Sequence, residues 1–271
     1  MSLFNSTKAA AVMAIAMGLC LAQGIYAQDG KRIYAGVRLG GSVGMSSLKD
    51  EEEKKYYDES KDDKWVKSNG YFDVAPFISL QLADKFALQT EVMMTKFFYG
   101  GSQGEYKNSY GGDEDVSVEY KYLLSRRALV IPVLAKFTVR ANDKISFGLF
   151  AGPHFTANIG KWEDYGWRKE TYDDGETDID EWIDFYKSDD KYYKDSYKIP
   201  PVGFTVGTNF GFMTNAGTFF VDVRFLSDIG NVKINNGEWE NNKRKEDKWE
   251  DYVHRSKLAF SLGYEFGAGS R

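Results

Sequence analysis

Eight segments in which apolar and polar residues alternate run from Ile33 to Phe266, joined in turn by long charged stretches and very short polar turns. In an extended strand successive side chains point to opposite faces, so each segment has one apolar face and one face of polar residues or glycine. An apolar face on every strand, with long and short links sorted to opposite ends, is the pattern of a transmembrane β-barrel. A soluble β-sandwich would also satisfy the alternation, but it rarely sorts its links by length. The expected fold class is all-β: an eight-stranded antiparallel up-and-down transmembrane β-barrel with long extracellular loops. An even strand number puts both ends on the periplasmic side.

The segments can be read one by one. Residues 33–45 set Ile33, Val37, Leu39 and Val43 outward and Arg38 inward among Gly36, Gly40 and Gly44. Residues 71–82 turn Asp73 and Gln81 inward; Pro76 falls on the outward face, where its missing N–H predicts a bulge. Residues 86–99 turn Gln89 and Glu91 inward. A fourth segment within residues 118–139 turns Lys136 inward. Residues 145–159 place His154, Thr156 and Asn158 on the inner face. Residues 202–213 alternate Val202, Phe204, Val206, Phe210 and Phe212 with Gly203, Thr205, Gly207, Asn209 and Gly211. Residues 218–229 turn Asp222, Arg224 and Asp228 inward, and residues 255–266 turn Lys257 and Glu265 inward. Residues 46–70, 100–117, 160–200 and 230–253 read as the outer loops.

The ends agree with an exported barrel. Lys8 is the only charge before Asp29, and the apolar run from Ala9 to Leu21 is short for a helical span, which needs about 20 apolar residues. Residues 1–27 are expected to be a signal peptide cut after Ala27, leaving residues 28–271 as the barrel domain. Cys20 is the sole cysteine and follows Leu19, unlike the small residue of a lipoprotein signal. Its removal would leave no disulfide, thiolate metal site or cysteine nucleophile. The expected location is the outer membrane of a Gram-negative-type bacterium.

Composition excludes some functions. The chain has 35 Lys+Arg against 40 Asp+Glu, and losing Lys8 leaves 34 against 40, a mature charge of −6. No basic patch suggests a nucleic-acid partner. An aromatic content of 16% with only 5 Pro suits barrel strands bounded by aromatic girdles.

Two stretches resemble a known family. Leu129-Val130-Ile131-Pro132-Val133-Leu134-Ala135-Lys136-Phe137, followed after a short turn by Phe147-Gly148-Leu149-Phe150-Ala151-Gly152-Pro153, resembles the paired strands of the PorT-like outer-membrane β-barrel family. The looser strand pattern extends the resemblance over residues 33–266. It implies the barrel fold and the location, and it allows a link to protein secretion. Val130 stands where the family usually carries Glu. If that Glu pairs with the inward lysine, Lys136 must find another acid here, and Glu91 is the candidate.

Two groups of residues could carry function. An eight-stranded barrel is just wide enough for side chains to fill it, so the inward Arg38, Asp73, Glu91, Lys136, His154, Asp222, Arg224, Lys257 and Glu265 are expected to form a neutralising polar network. A narrow polar conduit is the other reading of the same residues. The longest loop carries Trp162, Trp167, Asp173, Asp174, Asp178, Asp180 and Trp182, and aromatics amid charge suit a recognition surface. Its carboxylates suggest a divalent cation, yet they lack the ligand spacing of a calcium loop. No cofactor or catalytic residue is assigned. The favoured function is a non-enzymatic envelope or surface-interaction barrel whose partners are outer-membrane lipids and envelope proteins. The alternatives are an accessory or subunit of a secretion machine, or a lipid-modifying enzyme using His154 beside Thr156.

Overall fold

The structure, a computed structural model, describes residues 32–48, 63–109, 115–172, 175–186, 197–235, 239–240, 243–244 and 249–266. Residues 1–27, expected as a signal peptide, lie outside this set. Eight long strands make the barrel: β1 (Arg32–Leu48), β2 (Ser68–Ala83), β3 (two collinear pieces, Phe86–Glu91 and Met93–Ser109), β4 (Asp115–Arg140), β5 (Ile145–Thr171), β6 (Val202–Met213), β7 (Gly217–Asp228) and β8 (Trp249–Phe266). Each pairs antiparallel with the next, and β1 pairs with β8 from Ala35↔Phe266 to Leu48↔Val253. That last ladder closes the sheet into a barrel, with β2 and β3 paired from Ala83↔Phe86 to Val74↔Met94.

The inner turns are built from local polar chemistry. Asn142 Oδ1 accepts from the backbone N–H groups of Lys144 and Ile145 at 2.8 and 2.9 Å, closing the β4–β5 turn as an Asx turn. Thr214 N–H donates to the Gly217 carbonyl at 2.7 Å in the β6–β7 turn.

The outward face is an apolar band. Phe72, Leu149 and Leu262 are each more than 60% exposed, and Leu39, Leu88, Ile131, Phe155, Val206 and Val221 continue the band around the wall. Such a surface suits hydrocarbon and not water. Aromatic pairs mark its inner border: Phe86–Phe137 and Phe147–Phe210 at 5.0 Å, and Phe219–Tyr264 at 4.6 Å between ring centres. No helix among the described residues is long and apolar enough to cross a membrane; the strands cross it.

Two expectations are corrected. Pro76 marks no bulge. It sits in regular register with Val37, and the β2–β3 pairing holds one register from Phe77↔Glu91 to Val74↔Met94. The Val92 N–H still donates to the Pro76 carbonyl at 3.0 Å. The ladder loses only the donor that proline lacks, which is why β3 divides at Val92.

The described parts of the stretches read as outer loops are also largely sheet. β4 has 26 residues and β5 has 27, where a tilted strand needs about 10 to cross. The excess rises above the outer membrane surface. There β3 and β4 remain paired to Ser109↔Asp115, β4 and β5 to Ser117↔Thr171, and a further strand, Thr177–Tyr186, pairs with β5. Part of this outer sheet is packed, with Val116, Val118, Leu123 and Leu124 of β4 buried, while Asp178, Ile179, Asp180 and Glu181 on the added strand are exposed.

Candidate functional site: the filled barrel interior

Inward side chains stack in layers from the periplasmic mouth outward. The mouth is a cavity of about 70 Å³ lined by Tyr34, Gln81, Lys136, Asn209 and Glu265 among others. Lys136 Nζ lies 3.7 Å from Glu265 Oε2 on β8, across the lumen. Glu91 is therefore not the partner of Lys136. Register explains this: Lys136 stands opposite Ala87, and Glu91 lies four residues further along β3, about 13 Å away at the rise of a strand.

Above the mouth lies an aromatic floor of Phe77, Phe150 and Phe220, all buried. Phe77 and Phe220 meet edge to face at 5.8 Å. Each ring occupies the space over a glycine on a neighbouring strand. A Cβ on Gly36 would stand 2.2 Å from Phe77 Cζ, one on Gly207 2.4 Å from Phe150 Cζ, and one on Gly263 2.1 Å from Phe220 Cζ. The inward glycines are thus what lets three large rings lie flat in a narrow lumen.

The central layer is an ion network around Glu91. Its Oε2 accepts from Arg38 on β1 at 2.9 Å and from Arg224 on β7 at 2.8 Å, while Oε1 accepts from Gln89 at 2.7 Å. Arg224 also grips Asp222 with two bonds of 2.7 Å, and Arg38 donates to Ser261 at 3.1 Å. Arg38, Glu91, Asp222 and Arg224 are each about 1% exposed. The Arg224 guanidinium lies 4.8 Å from the centre of the Phe150 ring, so the ionic layer rests on the aromatic floor.

The next layer joins Lys257 on β8 to Asp73 on β2 at 3.0 Å, with Thr95 bonded to both. Above it, Arg255 donates to Asp228 at 2.6 Å and to the Tyr99 hydroxyl, and lies between the rings of Phe97 and Tyr99 at 4.5 and 4.6 Å. His154 is fully buried, with Nδ1 2.9 Å from Thr205 Oγ1 on β6 rather than next to Thr156.

Charges within these layers are paired. Five cations (Arg38, Lys136, Arg224, Arg255, Lys257) face five carboxylates (Asp73, Glu91, Asp222, Asp228, Glu265). Of the residues expected in the polar network, Arg38, Asp73, Glu91, Lys136, His154, Asp222, Arg224, Lys257 and Glu265 all stand in these layers, as do Gln81, Gln89 and Asn209, which the alternation also turns inward. The alternation also turns Asp228 inward, though outside the expected network, and Arg255 joins the layers without having been expected there. Arg255 opens the eighth segment, two residues before Lys257, and that inner-face spacing was the available signal.

The outer recognition residues are distributed otherwise. Trp167 is half-buried on β5, and Asp178 and Asp180 are exposed on Thr177–Tyr186, opposite Glu170 and Arg168. Asp173, Asp174 and the side chains of Trp162 and Trp182 lie outside the described residues. Among the described residues no three His, Cys, Asp or Glu are grouped so as to hold a metal ion.

Residues 22–233 match the family model of the outer membrane protein β-barrel domain. No curated protein matches the chain. Solved structures similar to it include outer membrane protease OmpT of Escherichia coli (10% identity, TM-score 0.40, covering 90% of this chain and 99% of that one). Neisserial surface protein A gives 12% identity and a TM-score of 0.37, covering 88% of this chain and 100% of that one. Ail of Yersinia pestis, in complex with the heparin analogue sucrose octasulfate, gives 10% and 0.29, covering 87% of this chain and 99% of that one. None of these scores bears on function. The match over most of its length and the closed eight-stranded wall agree: the chain belongs to the outer-membrane β-barrel domain family.

Proposed function

We propose that this protein is a non-enzymatic outer-membrane barrel whose filled body acts as a mount for an acidic, aromatic-rich outer sheet that makes surface contacts. The observation that supports this reading is the plug. Across the lumen the Phe77–Phe150–Phe220 floor and the Arg38–Glu91–Arg224–Asp222 layer stand one upon the other, each member buried. A chain that spends its interior on packed rings and paired charges is built for rigidity.

In this reading residues 1–27 are removed on export, and residues 28–271 form the mature barrel of the PorT-like kind. Its partners are outer-membrane lipids and envelope proteins. A role as an accessory of a secretion machine is the second reading, carried only by the resemblance of residues 129–137 and 147–153. For the lipid-enzyme reading, the burial of His154 and its contact with Thr205 leave it away from the lipid face.

The test has two parts. In fractionated cells the protein should enter the outer membrane and migrate faster unboiled than boiled in a detergent gel. Reconstituted in planar bilayers it should pass no steady current. A stable open conductance would overturn the mount reading in favour of a conduit, and loss of a secreted protein on gene deletion would favour the secretion role. Removing residues 160–200 should abolish surface contacts, and His154→Ala should leave them intact.

A further inference from the structure

We infer that Lys96 and Arg127 form an outward-facing site for the phosphate of a lipid headgroup in the outer leaflet. Both side chains leave the barrel on its lipid face. Lys96 alternates with the buried Thr95 and Phe97 on β3, and Arg127 precedes the buried Ala128 on β4. The two residues are cross-strand partners. Met94 and Leu129 lie directly below them, and Ile131 and Phe155 continue the apolar band on the same face.

Their depth fits a headgroup. From Phe86 at the inner girdle to Lys96 is ten residue steps, which at a rise of about 3.4 Å and a tilt of about 40° gives a height of about 26 Å. That matches the roughly 25 Å apolar band of an outer-membrane barrel. The two cations therefore stand where hydrocarbon gives way to phosphate.

Local geometry prepares the pair. A β-bulge falls at Arg127, where the β4–β5 register shifts between Arg126↔Trp162 and Ala128↔Asn158. Bulges at barrel rims re-aim a side chain. Glu163, buried on β5, accepts from Arg127 Nε at 2.7 Å on one oxygen and from Lys96 Nζ on the other. It ties the two cations together but neutralises only one of them. Arg127 spends Nε alone on this bond, and its side chain is 49% exposed. Among the described residues its two Nη groups make no bond, and a guanidinium with both free can hold a phosphate by parallel bonds.

The experiment uses the full folded protein in detergent, with native mass spectrometry reading lipid retention. The probes are dioleoyl phosphatidic acid and dioleoylglycerol, which differ only in the phosphate. Wild type should retain the phosphatidic acid about tenfold more than the neutral lipid, as a charge-assisted fork would produce. Lys96→Gln with Arg127→Gln should bring that ratio close to one while the gel shift on boiling remains. If the double variant fails to fold, Arg127→Gln alone and Arg127→Lys replace it. The first should lose most of the preference, and the second should keep part of it. Equal preference in wild type and variants, no preference in wild type, or its erasure by millimolar inorganic phosphate would each overturn the proposal. The last would mean a site for the free ion and not for a lipid.

Discussion

The barrel body and the outer sheet both carry charge, and they use it in opposite ways. In the body Arg38, Glu91, Asp222 and Arg224 are about 1% exposed and each makes at least one bond under 3 Å. In the outer sheet Lys169 and Glu119 approach only to 3.7 Å, with side chains 35% and 46% exposed. Water already solvates the second pair, so its net contribution is at most about 1 kcal/mol. In the first, losing one partner strands a charge out of reach of bulk water, which costs about 3–5 kcal/mol. One alphabet of residues therefore makes buried, bonded ion pairs in one region and loose, solvated ones in the other.

The sharpest way to break that contrast is Glu91→Ala beside Glu119→Ala. The first strands both Arg38 and Arg224 and should lower barrel stability by about 3–5 kcal/mol. The second should change it by less than about 1 kcal/mol. The urea midpoint of the gel shift on boiling measures both, and similar losses would end the distinction. Next in size is Gly207→Val, which drives a side chain into the Phe150 ring and should cost about 1–3 kcal/mol. Adding Phe150→Ala should recover part of that loss, since it removes the clashing atoms. Lys136→Met at the inner mouth should cost about 1 kcal/mol or less, because the ions approach only to 3.7 Å and both line the mouth cavity. The smallest effect expected is from replacing Thr177–Tyr186 with a short glycine-serine link. Body stability should stay within about 0.5 kcal/mol, while any surface contact should disappear. A large fall in stability would show that the outer sheet helps hold the barrel together.

The alternation of the wall strands was legible because lipid on one side and packed lumen on the other impose a period of two. Residues 202–213 show how far this goes: their inward glycines lie where neighbouring rings and His154 need room. The outer sheet was not legible by the same rule. The edge strand Thr177–Tyr186 has Asp178, Ile179, Asp180 and Glu181 all exposed, so no apolar face announces it. The bulge expected at Pro76 is absent, because a proline on this strand removes one ladder donor without shifting the register.

What the sequence alone determined is which face of each wall strand meets lipid, how many strands cross, and on which side the long links lie. Side-chain parity and link length are local properties, and the bilayer enforces them strand by strand. What only the tertiary structure decided is who meets whom across the lumen. Glu91 joins β3 to β1 and β7, and Lys136 reaches Glu265 on β8. Those pairings depend on the register of every ladder between them and on the closure of β1 against β8. A shift of two residues in any one ladder keeps every residue on its proper face, yet moves its partner by about 7 Å. The pattern along one strand carries no information about that shift.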